Sequence, residues 1–228
     1  QMTYCHLDTE EIRRFKEEYT LEDLKSWFEE LVHRYEKWAR LQIEWEQMRD
    51  ETIRNLKFPF SYREGQFNLA ASVYRTIARK KKLFIQAPTG TGKTMAVLYP
   101  AVRAMGEGLG EKIFYLTART ITRTVAEQAF FILKEKGLKF RSVTLTAKEK
   151  ICFCEKAECN PQACPYAKGH FDRVNDAVYD LLKNGGGMGR KEIEEQAQKF
   201  QICPFEFALE LSVWADGIIC DYNYVFDP

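Results

Sequence analysis

Gln86-Ala87-Pro88-Thr89-Gly90-Thr91-Gly92-Lys93-Thr94 is the stretch on which the fold turns. An apolar run, Leu83 to Gln86, precedes it and reads as a buried strand, and Lys93 to about Met105 reads as a helix. Strand, glycine-rich turn and helix in that order form the context in which a GxxxxGK[ST] match is credible. Ala87 stands in the first glycine position, a tolerable change where positive φ is not needed. Gly90 and Gly92 let the backbone curl so that its N–H groups face phosphate oxygens, helped by the positive end of the helix dipole. Lys93 brings a charge to the β- and γ-phosphates and Thr94 a hydroxyl for Mg²⁺, which makes them the catalytic candidates. Ala87, Pro88, Thr89, Gly90, Thr91, Gly92, Lys93 and Thr94 are together the candidate ATP-binding residues. A purely structural turn would leave the agreement of strand, glycines, Lys-Thr and helix unexplained. The loop implies nucleoside triphosphate binding but not its use, since kinases, transporters, GTPases and helicases share it.

Outward from the loop, Lys112 to Thr117 reads as a second strand, Ile121 to Lys134 as a helix and Ser142 to Leu145 as a third strand. That alternation implies an α/β fold with a parallel sheet and crossover helices. The pattern changes near Ala147. A cysteine-rich stretch, helices around Phe171 to Leu182 and Lys191 to Phe200, and another ending near Trp214 precede a strand from Gly217 to Cys220. Residues 148–207 therefore read as an insertion.

Before the loop, a strand from Met2 to Leu7 leads to a helix capped by Asp8 or Thr9. A long amphipathic helix follows, from Leu21 to about Leu56. Leu24, Phe28, Leu31, Tyr35, Trp38, Leu41, Trp45 and Met48 lie on one face of it, where packing, rather than base stacking, is the expected role of Trp27, Trp38 and Trp45. Pro59 breaks the helix and a helical pattern resumes from Glu64 to Ala78.

The 228 residues are 45% hydrophobic and 29% charged, ordinary for a folded globular chain, and the net charge of +1 gives no sign of a polyanion partner. Arg79 to Lys82 reads as a solvated helix end. No run approaches the roughly 18 apolar residues of a membrane span and no signal peptide is visible, so a cytoplasmic location is expected. Both ends read as cut from a longer polypeptide.

Of seven cysteines, Cys152, Cys154, Cys159 and Cys164 crowd together and Cys203 follows. In a reducing compartment this points to metal binding; buried free thiols, the plainer reading, fit poorly beside Glu155, Lys156, Glu158, Asn160 and Gln162. Cys5 and Cys220 read as core. His6, His33 and His170 read as surface or packing residues, with a supporting role near the cysteines open to His170.

QAPTGTGKT, KIFYLTART and the cysteine stretch together resemble the iron-sulphur helicases of superfamily 2, the DinG and XPD type. The resemblance covers about residues 58–228 and implies a RecA-like motor domain. FPFSYREGQ is similar to the adenine-recognition segment, which implies that Gln66 reads adenine with Tyr62 or Arg63 nearby. Thr117-Ala118-Arg119-Thr120 matches the motif that follows the nucleic-acid strand. Arg119 and Thr120 are then phosphate contacts; from the residues alone, a helix cap and a surface ion pair serve as well. Cys164-Pro165-Tyr166 and Cys203-Pro204-Phe205 are similar to the family's cluster cysteines. The resemblance thereby implies Cys152, Cys159, Cys164 and Cys203 as ligands and a [4Fe-4S] cluster over the zinc that four thiolates would also satisfy, with Cys154 the rival for one position. Lys148, Lys150, Lys168 and Arg173 are expected beside a phosphate path, and the resemblance implies DNA as the partner, single-stranded or at a junction and tracked 5′ to 3′, with RNA left open.

The acidic box, the arginine fingers and the second motor domain of that family are not in this sequence, so the chain alone is expected to be inactive. Residues 1–57 are similar to the tail of a RecB-like nuclease domain; 58–147 and 208–228 form the motor portion and 148–207 the cluster insertion. Two rivals stand beside this reading: another P-loop ATPase stapled by zinc, and a non-catalytic, nucleotide-switched binding module.

Overall fold

The computed structural model describes all residues except 89, 119, 185, 186, 227 and 228, and the backbone alone of Thr120 and Ile121. The chain forms two compact units, residues 1–44 and 45–228.

In the first unit, β1 (Met2–Cys5) and β2 (Ile12–Phe15) pair antiparallel, with Met2 opposite Phe15 and Cys5 opposite Ile12. His6 N donates to Glu11 O and Glu10 N to His6 O, each at 2.9 Å, and Glu10 takes φ 56° to close the turn. The short helix expected after Asp8 or Thr9 is replaced by this hairpin. Residues 12–15 gain ladder bonds at once, whereas a short helix would have had to meet the cost of nucleation. The long helix α1 (Leu21–Asn55) forms as expected, with a reciprocal cap: Asp23 N donates to Thr20 Oγ1 at 3.1 Å and Thr20 N to Asp23 Oδ2 at 2.9 Å. Its apolar face fares differently. Leu24, Trp27, Phe28, Leu31 and Tyr35 are exposed, as is Cys5, so the expected packing is not found for them. Capping and i,i+4 pairs such as Arg40 with Glu36 support the helix without it.

In the second unit α1 ends with Arg49 and Ile53 buried. Then come α2 (Gln66–Ala78), α3 (Lys93–Met105), β3 (Ile113–Thr117), α4 (Thr120–Glu135), β4 (Ser142–Thr144), α5 (Lys148–Ile151), α6 (His170–Lys183), α7 (Arg190–Phe200), α8 (Pro204–Trp214), β5 (Gly217–Asp221) and α9 (Asn223–Phe226). The sheet is parallel, in the order β3-β5-β4, with Gly217 opposite both Ile113 and Ser142. The segment between β4 and β5 thus returns the chain to the middle of the sheet. Leu98, Val102, Phe130, Leu133 and Phe140 form one core cluster with Ile219 of β5, with Phe130 and Phe140 stacked at 5.0 Å.

One strand expectation needs correction. Residues 83–86 form no strand; Phe84 is 93% exposed, and among the described residues no ladder bond reaches the segment. An apolar run becomes a strand only where a neighbouring strand offers partners. The strand expected from Gly217 to Cys220 forms and ends at Asp221, whose Oδ1 accepts from Asn223 N at 3.0 Å and turns the chain into α9.

The front of the sheet is tied to α1 by one buried carboxylate. Asp216, 3% exposed, accepts from Arg49 Nη1 at 2.8 Å, Trp45 Nε1 at 3.1 Å and the Arg141 backbone N at 2.7 Å. The Arg141 guanidinium lies 4.0 Å over the Trp45 ring, and burial pushes its pKa down to about 10. Trp45 is thus a packing residue, as its place on the helical stripe suggested.

Candidate functional site

The loop has the curl its glycines imply. Gly90 (φ 83°) and Gly92 (φ 72°) are both left-handed, and Gly92 opens α3, its carbonyl accepting from Ala96 N at 3.1 Å. Lys93 Nζ donates to the carbonyls of Ala87 and Pro88, each at 2.7 Å, and Thr91 Oγ1 to that of Pro88 at 3.0 Å. The ammonium is thus held against the loop it would share with phosphate. Gly90, Gly92, Lys93 and Thr94 line a cavity of about 650 Å³ with Phe60, Arg63, Thr124 and Gln128. Thr89 lies outside the described residues.

Gln66, 5% exposed at the start of α2, has both ends of its amide engaged. Its Oε1 accepts from Arg63 N at 3.0 Å and its Nε2 donates to Gly92 O at 3.2 Å. Arg63 Nη1 also donates to Gly90 O. The FPFSYREGQ segment is therefore bonded to the phosphate loop directly. Beside it Phe58 stacks on Tyr62 at 4.1 Å, and burial raises the Tyr62 phenol pKa. The Arg63 link was not legible in advance, because only folding brings its guanidinium to a carbonyl 27 residues away.

Arg119 lies outside the described residues and no side chain is described for Thr120. Thr120 is the first residue of α4.

The cysteines gather. Cys152, Cys154, Cys159, Cys164 and Cys203 line one cavity of about 310 Å³, along with His170. Cys152 follows α5, Cys164 lies in a turn shaped by Asn160, whose Oδ1 accepts from Gln162 N and Ala163 N at 3.0 and 2.9 Å, and Cys203 precedes Pro204 at the start of α8. Arg173 staples the last two of these pieces together. It donates to Lys168 O at 2.7 Å, Phe200 O at 2.9 Å and Gln201 O at 2.6 Å, a structural role the sequence did not announce. Lys148 also has partners close by, Glu206 at 3.9 Å and the Phe205 ring at 4.7 Å.

His170, 3% exposed, accepts at Nδ1 from Cys203 N at 3.3 Å, which puts its proton on Nε2; that atom is buried and has no partner among the described residues. Burial lowers its pKa, and burial raises that of Cys203. Cys154 and Cys164 have their sulphurs 3.8 Å apart, and that contact, with burial, pushes the Cys154 thiol up to about 11. Cys159 is exposed, its Sγ 3.8 Å from Ala157 O, and Cys220 is buried in β5 as expected of a core residue. No group of three or more His, Cys, Asp or Glu among the described residues is arranged to hold a single metal ion. The thiols and the orphaned His170 donor instead surround a space, a donor set that suits a body bearing sulphur acceptors.

Two family models match the chain. DEAD/DEAH box helicase covers residues 68–159 and DEAD_2 covers residues 117–228. Both matches are to helicase families, and with the loop and sheet described above they support a superfamily 2 helicase fragment. The DEAD_2 match spans the cysteine stretch and supports the DinG/XPD-like kind within that class.

Among curated proteins it is similar to the regulator of telomere elongation helicase 1 homologue of Caenorhabditis briggsae, 25% identical over 219 residues, covering 76% of this chain and 22% of that protein. A probable ATP-dependent helicase of Methanocaldococcus jannaschii is 25% identical over 195 residues, covering 69% of this chain and 30% of that one. A solved XPD helicase superposes with a TM-score of 0.49 at 19% identity, covering 72% of this chain and 28% of that one. The chain thus spans under a third of each of these relatives. Among the described residues no helix is long and apolar enough to cross a membrane.

Proposed function

We propose that this chain is the ATP-binding portion of a DNA helicase motor that carries a [4Fe-4S] cluster and moves 5′ to 3′. The observation that carries the ATP reading is the phosphate loop itself, with both glycines left-handed, Lys93 and Thr94 facing one cavity, and Gln66 and Arg63 bonded to its carbonyls. Lys93 exchanges the Ala87 and Pro88 carbonyls for the β- and γ-phosphates, and Thr94 holds Mg²⁺. Gln66 reads adenine by exchanging its bonds to Arg63 N and Gly92 O for the base, which links base occupancy to the loop. Arg119 and Thr120 take the phosphate backbone of single-stranded or junction DNA.

Cys152, Cys159, Cys164 and Cys203 hold the cluster within an insertion spanning residues 148–207, between motor segments 58–147 and 208–228. When bound, the cluster supplies a rigid covalent anchor for those four segments. The chain's own residues build the frame, with Arg173 joining two of the ligand segments and His170 fixing Cys203.

The test is unwinding of DNA duplexes bearing a 5′ or a 3′ overhang by the polypeptide that carries this sequence. ATP-dependent unwinding from the 5′ overhang, abolished by Lys93→Ala, is expected. Unwinding only from the 3′ overhang would overturn the polarity, and unwinding unaffected by Lys93→Ala would overturn the ATP role. Iron and acid-labile sulphide in the purified protein support the cluster, and zinc in their place contradicts it.

A further inference from the structure

Five thiols line a cavity for which four ligands are proposed, and the extra one is placed for chemistry of its own. Cys154 is not in that ligand set, yet its sulphur lies 3.8 Å from that of Cys164. Cys159, which is in the set, is exposed and directs its sulphur towards the Ala157 carbonyl. We propose that Cys154 and Cys164 form a reversible disulfide in the cluster-free protein, and that this bond closes the cavity to cluster assembly.

The geometry favours this pair. A disulfide needs its sulphurs at about 2.05 Å, an approach of less than about 2 Å from their present separation. The flanks are already braced, since the rings of Phe153 and Tyr166, each close in sequence to one of the two cysteines, pack at 4.9 Å. The turn carrying Cys164 is fixed by Cys164 N to Asn160 O at 3.0 Å and Ala167 N to Cys164 O at 3.2 Å. Both cysteines are only half-buried, so a small oxidant reaches them.

The oxidant is a peroxide. It takes two electrons from one sulphur, giving a sulfenic acid, while its own O–O bond breaks and the second oxygen leaves as water. The neighbouring thiol attacks the oxidised sulphur, the S–S bond forms, and the sulfenic oxygen departs as a second water with the two remaining protons. A dithiol reverses the step by exchange. The consequence for cluster loading rests on the ligand set proposed above, because Cys164 spent in a disulfide is one ligand lost; the disulfide itself does not depend on it.

The experiment uses the whole chain, freed of metal under reducing conditions and treated with one equivalent of hydrogen peroxide. Peptide mapping without reductant is expected to find Cys154 joined to Cys164 and two of the seven thiols lost. Oxidised wild-type chain is then expected to lose its uptake of ferrous iron and sulphide and to regain it after dithiothreitol, whereas Cys154→Ser takes up both with or without peroxide. A different pairing in the map, or none, overturns the proposal, as does unimpaired uptake by oxidised wild type. Failure of reduced Cys154→Ser to load makes Cys154 a ligand and also overturns it. If reduced wild type itself takes up no iron and sulphide, the cluster reading falls with the loading consequence, while the peptide map still decides the disulfide.

Discussion

The phosphate loop and the cysteine cavity are two sites of comparable chemical weight built in opposite ways. The loop is local: its curl is set by Gly90 and Gly92 within a few residues, and Lys93 and Thr94 follow at once on α3. The cavity is composite. Its sulphurs come from the end of α5, the turn around Cys164 and the start of α8, and Arg173 joins carbonyls beside the last two. A local site depends on a few backbone torsions. A composite one depends on every contact that brings its pieces together.

The largest effect is expected where the distinction disappears. Asp216→Ala leaves the Arg49 guanidinium, the Trp45 N–H and the Arg141 N–H without their shared acceptor. Stripping a buried ion pair of one partner costs about 3–5 kcal/mol. Denaturant unfolding should show that loss, with both sites failing together because both hang on the same sheet.

The next two substitutions separate the regions. Arg173→Ala removes donors from three carbonyls at the cavity and is expected to cost about 1–3 kcal/mol, raising the reactivity of Cys164 and Cys203 towards a thiol reagent while nucleotide binding stays unchanged. Gly92→Ala acts on the other side. An alanine at φ 72° is strained, and its Cβ would collide with Gln66 Nε2, so about 1–2 kcal/mol is expected. Nucleotide titration should weaken while thiol reactivity holds. If either substitution moves both readouts, the division into local and composite sites is wrong.

The smallest effect concerns α6 against α7. Asp180 accepts from Gln196 Nε2 at 2.8 Å and Lys199 Nζ at 2.7 Å, and these bonds hold its carboxyl below the usual range. A folded-state pKa lowered in this way contributes stability above the unfolded value of about 3.9, and that contribution is lost as pH falls through the folded value. Melting curves between pH 6 and pH 3 should therefore fall slightly more steeply for wild type than for Asp180→Asn.

The same division explains what could be read from the sequence. The loop's residues, the helix at Lys93, the strands at Ile113, Ser142 and Gly217 and the extent of α1 were legible, because each follows from a short-range pattern. The strand expected at residues 83–86 was not found, since apolar character says nothing of whether a partner strand is present. The stripe on α1 shows the same limit from another side: its spacing fixes a helix face at Leu24 to Tyr35 but cannot say that anything covers it. Asp216, Arg173 and the Arg63 link to Gly90 were invisible, because each acts on residues distant in sequence. The cysteines lay between these cases. Their grouping announced a site, but the proximity of Cys154 to Cys164 needed the folded turn.

The central claim is that residues 87–94 hold ATP through Lys93. Equilibrium titration of the chain with a fluorescent ATP analogue and Mg²⁺, wild type against Lys93→Ala, tests it most directly. Loss of a charged hydrogen-bond partner worth about 1.5–3 kcal/mol should weaken binding roughly 10- to 150-fold. Indistinguishable binding by the two proteins, or none by the wild type, would contradict the account.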